Sequence, residues 1–455
     1  MPMKNNSNKS YVFHRRLNYQ YPIITHGKGI YLYDKQGKKY IDGASGALVA
    51  NLGHGLKDIA KEIGRLAQRF SYLHGSQFTT QEMEDYAKEL CALVPQELRK
   101  VFFVSGGSEA VETAVKLARQ YHYETGNKEK YLVIARKPGY HGSTILTLSM
   151  ASRKSHRRPF LPLLLNIPII PAPFCYHCPF QKSYPQCNLE CAWQLEKTIK
   201  KIGPGKISAF IAEPVIGASA GAVVPPKEYF PIIRQICDKY NILLILDEVM
   251  TGFGRTGKWF AFQYWNFLPD IIVSSKGIAA GFVPFAAIFC QKKIVKTIEN
   301  GSGNFVHGFT FSNNPLTTGT ARAVLKYTKE HNLVERGKEM GKYLFSCLLT
   351  LSDISIVGDI RGLGLMTAVE FVENKKTKKP FPRKTQLAEK IVQAALRKGL
   401  NLYFAIGFVD DIGNVDSGDA VMVAPPFIVT KKEIDKIVNI LRKSILEVQN
   451  NILKK

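Results

Sequence analysis

Residues 101–118 read VFFVSGGSEAVETAVKLA, and this stretch indicates the fold most clearly. Its first four residues are apolar and suit a buried strand, and residues 105–108 supply a glycine-rich turn. Beyond the turn, apolar residues recur with the spacing of one helix face, at Val111, Ala114, Val115 and Ala118. A strand, a glycine turn and a helix in this order are typical of α/β proteins.

Short apolar runs of the same kind recur along the middle of the chain. They are Val101–Val104, Tyr131–Ala135, Ile207–Ala212, Ile242–Leu246, Asp270–Ser274 and Ala286–Cys290. Strands that are apolar on both faces are typical of parallel sheets covered by helices. We therefore predict an α/β fold with a large domain over residues 58–330, in which helices flank a mostly parallel central sheet.

The two ends of the chain show a different pattern. Residues 29–34 and 39–42 alternate aromatic and polar side chains around a turn at 36–38, which predicts a hairpin. Toward the other end, residues 363–372 suit a strand, and Thr430 and Glu433 form a capping box ahead of a closing helix. We predict that residues 1–57 and 331–455 join into one smaller α+β domain.

Composition narrows the class of protein. The 455 residues are 45% hydrophobic and 22% charged, which suits a globular protein with a sizeable core. The net charge of +25 would suit an anionic partner, but no block of five or six consecutive basic residues occurs, so we do not expect nucleic-acid binding. The first residues lack the apolar segment of a signal peptide, and the long uncharged stretch 159–181 carries six prolines. We expect a cytoplasmic enzyme without a membrane helix.

An acidic residue closes one of the predicted buried strands. Residues 243–257 read LLILDEVMTGFGRTG, and Asp247 is the first polar residue after the apolar run. Ligands of open α/β sheets bind at the carboxyl ends of strands. A carboxylate is costly there unless a cation meets it, so Asp247 points to a bound cationic group. The alternative is an ion pair with a structural arginine such as Arg255.

A lysine follows the next predicted strand, and a phosphate-binding turn follows an earlier one. Lys276 lies among small and apolar residues, and loss of solvent lowers the pKa of an amine, as a Schiff-base nucleophile requires. The glycines of residues 105–110 would let backbone N–H groups approach a phosphate at a helix N-terminus. Taken singly, Lys276 also suits a surface lysine, and the turn also suits an ordinary capped helix.

Taken together, these segments resemble the class III (ω-amino acid) aminotransferases, which are fold type I enzymes dependent on pyridoxal 5′-phosphate. The resemblance runs nearly from end to end of the chain. Its most specific parts are SGGSEA at 105–110, YHG at 140–142, AEPV at 212–215, DEVMTGFGRTG at 247–257, SKG at 275–277 and FTFSNNP at 309–315. The resemblance implies a PLP-dependent aminotransferase.

The same resemblance assigns roles around the reactive end of the cofactor. Lys276 corresponds to the lysine that forms a Schiff base with the cofactor and then moves a proton between substrate and cofactor. Asp247 corresponds to the partner of the pyridine nitrogen. Tyr140 and Val249 correspond to the residues on the two faces of the ring. Glu213 corresponds to an acidic residue beside the ring, with an ion-paired loop carboxylate as the alternative.

The resemblance also extends to the phosphate, the substrate and a second subunit. Gly107 and Ser108 would hold the phosphate, together with Thr310 from the neighbouring subunit, which implies a homodimer. Residues of the N-terminal segment would line the substrate pocket: Tyr21, Ser45, Gly46 and Leu48. The implied reaction moves an amino group from an amine or ω-amino acid to an oxo acid by a ping-pong route. The alternatives are racemase, decarboxylase or mutase chemistry on the same fold, or a non-catalytic basic binding protein.

The sequence departs from the family at one functional position. Many relatives carry a mobile arginine, shortly before the segment that matches APPF at 424–427, which binds the carboxylate of the acceptor. Ser417 stands where that arginine is expected, and no arginine occurs between Arg397 and Arg442. Arg361 is a candidate substitute, although an arginine in a glycine turn more often satisfies carbonyl groups.

Cysteines and histidines admit further interpretations. The spacing of Cys175, Cys178, Cys187 and Cys191 would allow a zinc site, but we expect reduced thiols and no metal. His54 and His141 lie in glycine-rich segments, where we expect them to stabilise loops by hydrogen bonds.

Overall fold

A computed structural model describes residues 10–407 and 418–453 of the chain. Ser417 lies outside the described residues. The elements in chain order are β1 (Ile24–Lys28), β2 (Tyr31–Asp34), β3 (Lys39–Asp42), α1 (Ser45–Leu48), α2 (Lys57–Ala67), α3 (Gln81–Cys91), β4 (Lys100–Val104), α4 (Gly107–Glu124), β5 (Leu132–Lys137), α5 (Ile145–Ser149), α6 (Lys154–Arg157), β6 (Ile169–Pro171), α7 (Glu190–Ile202), β7 (Ile207–Ala212), α8 (Tyr229–Lys239), β8 (Leu243–Asp247), β9 (Ile271–Ser274), β10 (Ala286–Cys290), α9 (Lys292–Asn300), α10 (Pro315–Glu330), α11 (Leu333–Leu349), β11 (Val357–Leu363), β12 (Met366–Asn374), β13 (Lys379–Pro380), α12 (Leu387–Arg397), β14 (Leu400–Asn401), β15 (Tyr403–Ala405), β16 (Ala420–Val423) and α13 (Lys431–Leu453).

The central sheet has seven strands in the order β4-β10-β9-β8-β7-β5-β6. From β9 to β6 all neighbouring strands are parallel, whereas β10 runs antiparallel to both β4 and β9. The mostly parallel α/β fold predicted from the sequence is therefore confirmed, with one reversed strand. Since β4 and β9 both run antiparallel to β10, β4 points the same way as the parallel strands.

Helices cover both faces of this sheet. Along β8, Leu244 and Leu246 pack into one core cluster, which also contains buried residues of α7 and α8. Leu243 and Ile245 pack into another, which contains the buried face of α4. Because alternate residues of a strand point to opposite faces, every residue of β8 is buried. This burial explains why the strand reads as an uninterrupted apolar run.

Two smaller sheets are built from the remaining parts of the chain. One has the order β1-β2-β3-β14, and the other has the order β11-β12-β16-β15 with β13 beside β12. The predicted hairpin is present as β2 and β3. The capping box is present too, since the Thr430 N–H donates to Glu433 Oε2 at 2.9 Å and the Glu433 N–H donates to Thr430 Oγ1 at 3.3 Å.

The prediction of one strand over residues 363–372 is wrong. Leu363 ends β11 and Met366 begins β12, and the two residues face each other across a tight antiparallel turn. Gly364 takes the left-handed conformation at φ 59° that the turn requires. The apolar residues Leu363, Leu365 and Met366 surround the turn, so the break is not visible in the sequence. No helix in the described parts of the chain has the length and hydropathy needed to span a membrane.

Two helical glycines give a test of the packing of α11 against the turn between β11 and β12. A Cβ at Gly341 in α11 would overlap the backbone of Gly364, whereas a Cβ at Gly64 in α2 would meet no atom within 4 Å. We expect Gly341→Ala to lower the free energy of unfolding by about 1–3 kcal/mol through overpacking. Gly64→Ala should raise it by about 0.5–1 kcal/mol, since alanine favours helix. Thermal unfolding followed by circular dichroism measures both, and equal effects of the two substitutions would contradict the packing.

Candidate active site

The carboxyl ends of five strands meet at one edge of the central sheet. Because β4, β5, β7, β8 and β9 point the same way, the residues that follow them are brought together there. They enclose a cavity of about 230 Å³. It is lined by Gly107, Ser108, Tyr140, His141, Gly142, Glu213, Val215, Asp247, Val249, Met250, Ser275 and Lys276. All of the predicted cofactor residues except Thr310 line this cavity.

Asp247 is the last residue of β8 and is 4% exposed. Its Oδ2 lies 2.8 Å from Nδ1 of His141, and its Oδ1 accepts a hydrogen bond from the Val249 N–H at 3.1 Å. Among the described residues Asp247 has no ion pair with Arg255, which instead donates to Leu365 O and Pro425 O. The carboxylate is thus held by a histidine and a backbone amide and lines the cavity.

The sequence places His141 in a glycine-rich segment but does not predict its contact with Asp247. The His141 ring is buried, and Nε2 has no hydrogen-bond partner in the part of the chain that the structure describes. The pairing with Asp247 spans 106 residues, so nothing local could reveal it. The available signal was its place directly after Tyr140, in the YHG segment. The contact with the His141 ring holds the buried carboxylate of Asp247 in a fixed position.

Glu213 follows β7 and faces the same cavity. Its two carboxylate oxygens accept hydrogen bonds from the backbone N–H groups of Tyr140 and Gly217, each at 3.2 Å. Burial raises the pKa of Glu213 above its ordinary value, with Asp247 adding to the rise and His141 opposing it. Within the described chain no cation forms an ion pair with Glu213. Its contacts are therefore those of a residue that orients the loops around the cavity.

Lys276 stands two residues beyond β9 and has the left-handed backbone conformation at φ 51°. A lysine rarely adopts this conformation, and such residues are concentrated at functional sites. Burial lowers the pKa of Lys276 to about 8, opposed by Asp247 and Glu213 and supported by Arg255 and Arg153. The amine is therefore far closer to neutrality at physiological pH than an exposed lysine.

The first turn of α4 faces the cavity from another side. Gly107 is the first residue of this helix, so its N–H and those of Ser108 and Glu109 have no partner within the helix. The Ser143 N–H donates to Ser108 Oγ at 3.1 Å, which ties the serine to the loop after β5. A Cβ at Gly142 would overlap that same oxygen, so the loop can approach only because residue 142 is glycine. Backbone N–H groups at a helix N-terminus suit a phosphate.

The residues expected to line a substrate pocket lie elsewhere in the described structure. The Ser45 hydroxyl donates to Ala424 O at 2.8 Å and accepts from Arg255, and Leu48 is buried in the core. The Gly46 N–H donates to Asp42 Oδ1. The Tyr21 hydroxyl accepts from the Arg16 N–H at 3.2 Å, outside the cavity.

Thr310 and Arg361 also lie away from the cavity. Thr310 is exposed on the surface of this chain. Arg361 forms ion pairs with Asp359 at 2.8 Å and Glu370 at 2.6 Å and donates to Gly221 O at 2.7 Å. The contacts with Glu370 and Gly221 tie β11 to its neighbours, so the favoured structural role of Arg361 agrees with the structure.

The cysteines and His54 have ordinary structural surroundings. Within residues 10–407 and 418–453, no three His, Cys, Asp or Glu side chains are arranged to hold a metal ion. The zinc alternative for the four spaced cysteines therefore has no support in the structure. Burial raises the pKa of Cys191 to about 12, which keeps it a thiol. His54 Nε2 lies 3.1 Å from Asp42 Oδ2, a loop contact of the kind expected.

Comparison with known proteins agrees with this geometry. The family model of the class-III aminotransferases matches residues 13–445. The uncharacterized aminotransferase YodT of Bacillus subtilis is 36% identical over 98% of this chain and 99% of its own length. The putrescine–pyruvate aminotransferase of Pseudomonas aeruginosa is 33% identical over 93% of this chain and 90% of its own. The omega transaminase of Pseudomonas jessenii, solved in complex with PMP, superposes with a TM-score of 0.87 at 33% identity, covering 94% of this chain and 93% of its own.

The lowered pKa of Lys276 can be measured directly. Reductive methylation by formaldehyde and cyanoborohydride, counted per lysine by mass spectrometry, requires a neutral amine. Below its pKa the amine is protonated and unreactive, so labelling of Lys276 in the cofactor-free protein should reach half its plateau near pH 8. Exposed lysines should do so near pH ~10.4. Asp247→Asn should move the midpoint of Lys276 lower still, because Asp247 favours the charged amine. A midpoint shared with the exposed lysines would contradict the burial argument.

Proposed function

The chain belongs to the class III aminotransferases, and from this membership we propose that the cavity at the sheet edge holds pyridoxal 5′-phosphate, with Lys276 as its covalent attachment point. The enzyme transfers amino groups. Its characterised relatives are named as transaminases, which favours transfer over racemase, decarboxylase or mutase chemistry. The presence of a buried lysine, an acid and a helix N-terminus in one cavity argues against a non-catalytic binding protein.

The donor groups of the cavity fit this cofactor. When bound, pyridoxal 5′-phosphate supplies an aldehyde that condenses with amines and a pyridinium ring that accepts electrons. Lys276 is the nucleophile for the aldehyde, and Gly107 with Ser108 would hold the phosphate at the N-terminus of α4. Asp247 would keep the pyridine nitrogen protonated, and its bond to His141 holds it in place for that role. Tyr140 and Val249 would contact the two faces of the ring.

Lys276 also suits the proton transfer of the reaction. With a pKa of about 8, the Lys276 amine would be able, while it is not attached to the cofactor, to accept a proton from the substrate Cα and return it within one turnover. Glu213 and Asp247 favour the charged form, so the proton taken up by Lys276 is stabilised by both carboxylates. The single observation that carries the assignment is this buried amine facing the acid of the neighbouring strand.

The substrates we propose are an amine or ω-amino acid as donor and an oxo acid as acceptor. The Pseudomonas aeruginosa relative is named for putrescine and pyruvate, one of each class. A ping-pong route uses the same cavity for both substrates in turn. Pyruvate is therefore the first acceptor to test.

We further propose that the active unit is a homodimer with shared sites. Thr310 is exposed, and the side chains around it include Val306 at 69% and Phe311 at 60% exposure. Exposed apolar side chains of this kind are typical of a subunit interface. In such a dimer Thr310 of one subunit would reach the phosphate held by the other.

Visible absorption spectroscopy tests the proposed function. The protein reconstituted with pyridoxal 5′-phosphate should show an absorption band that depends on Lys276 and is absent from Lys276→Ala. An amine donor should discharge the band without any oxo acid, and pyruvate should then restore it. Lys342→Ala, an exposed lysine in α11, is the matched control and should keep the band. A wild-type protein without a band would refute the cofactor assignment, and a band that no amine discharges would refute transamination.

Mixed dimers test the shared site. We expect Lys276→Ala to be inactive and Thr310→Asp to be strongly impaired, because the new carboxylate repels the phosphate. When the two variants are unfolded, mixed and refolded together, a hybrid has one site with both changes and one site with neither. Activity should therefore rise well above that of either variant alone. If Thr310 acted within its own chain, every site would carry a lesion and mixing would restore nothing.

A further inference from the structure

A cluster of positive side chains lies beside the cavity and has no part in the roles assigned so far. Arg153 lies just before α6, and His156 and Arg157 lie within it. Arg15 comes from the N-terminal segment, and its charge acts on His156 together with that of Arg153. Arg153 is also close enough to Lys276 for its charge to act on the amine.

The charges of this cluster are not neutralised by the described residues. Among the described residues, Arg153 donates one hydrogen bond, from Nη2 to Ala218 O, and its buried Nε has no hydrogen-bond partner. The buried Nε of Arg157 has no partner among these residues either. In the described chain neither arginine forms an ion pair with a carboxylate. Buried polar groups are nearly always hydrogen-bonded, so these orphan donors point to an anion that completes the cluster.

Two contacts place Arg153 relative to the site. The preceding residue, Ser152, both donates to Gly139 O at 3.0 Å and accepts from the Gly139 N–H at 2.9 Å, next to Tyr140. Ala218, which Arg153 contacts, follows Gly217, whose N–H donates to Glu213. Arg153 is thus fastened between the loop that carries Tyr140 and the loop that carries Glu213. Both loops border the cavity.

We infer that Arg153, supported by Arg157 and Arg15, binds the carboxylate of the oxo acid acceptor. A guanidinium presents donors that match the two oxygens of a carboxylate, and it keeps its charge at every physiological pH. The inference rests on the proposed function, since it assigns the acceptor-binding group of the same site. It defines the acceptor class as carboxylate-bearing oxo acids.

Two other arginines considered for this role, Arg255 and Arg361, are held by several neighbouring groups. Arg255 donates to two carbonyls and two side chains, and Arg361 is paired with Asp359 and Glu370. Neither has a carboxylate-binding face to offer. Arg153 differs from both because, among the described residues, it makes a single hydrogen bond, to Ala218 O, and forms no ion pair.

Two acceptors that differ in the carboxylate test the inference. With one amine donor, kcat/KM is measured for pyruvate and for propanal, which has the same number of carbons and no carboxylate. Arg153→Met should lower kcat/KM for pyruvate about 10- to 100-fold, mainly through KM, and leave propanal nearly unchanged. Arg153→Lys, which keeps the charge, should recover part of the loss. Arg158→Met removes the same charge at an exposed position and is the matched control.

The outcomes separate this inference from the proposed function. Equal losses with pyruvate and propanal, or the same loss in Arg158→Met, would overturn the role of Arg153. If Arg153→Met does not fold, Arg153→Lys is tested instead. Propionate carries a carboxylate but cannot react, so its inhibition constant should be higher for Arg153→Lys than for the wild-type protein. A wild-type protein that lacks the Lys276-dependent absorption band would refute the cofactor assignment instead. Propionate binding followed by calorimetry would then still test Arg153.

Discussion

The active site depends on keeping one amine out of water. Lys276 is held in a strained left-handed conformation beyond β9, where burial lowers its pKa to about 8. Two carboxylates, Asp247 and Glu213, share the cavity and oppose that shift. These opposing effects on the pKa of Lys276 require that the amine and both carboxylates are removed from water together. The three groups follow neighbouring strands that are fully buried, and this burial removes them from water. The unbroken apolar character of β7, β8 and β9 thus serves the chemistry as well as the fold.

A second buried cation, Arg255, forms hydrogen bonds with both terminal parts of the chain. Arg255 is fully buried, and within residues 10–407 and 418–453 it forms no ion pair with a carboxylate. It donates to Leu365 O and Pro425 O from the C-terminal part and to Ser45 and Asn51 from the N-terminal part, and its guanidinium lies 4.9 Å from the Phe427 ring centre. Burial lowers its pKa to about 9. The terminal segments are therefore tied to the DEVMTGFGRTG segment, and its charge also lowers the pKa of Lys276.

The elements of the fold could be predicted where burial acts on consecutive residues. Fully buried strands read as apolar runs, and their ends placed Asp247 and Lys276 at one sheet edge. The reversed direction of β10 could not be read, because an apolar run has the same composition in either direction. The pairing of His141 with Asp247 and the orphan donor of Arg153 depend on contacts between distant segments. Local periodicity carries no information about such contacts.

The charges around the cavity suit substrates of opposite charge, a cationic amine donor and an anionic oxo acid. The inner wall carries Asp247 and Glu213, which favour positive charge in the cavity, as they do at Lys276. The adjoining cluster carries Arg153 and Arg157 without a carboxylate to neutralise them in the described chain, which suits the negative end of an oxo acid. Because Arg153 is held by a carbonyl rather than by an ion pair, a carboxylate can bind to it without first displacing an anion. A donor that lacks a carboxylate leaves the cluster unused, so the same cavity can accept a simple amine in one half-reaction and an oxo acid in the next.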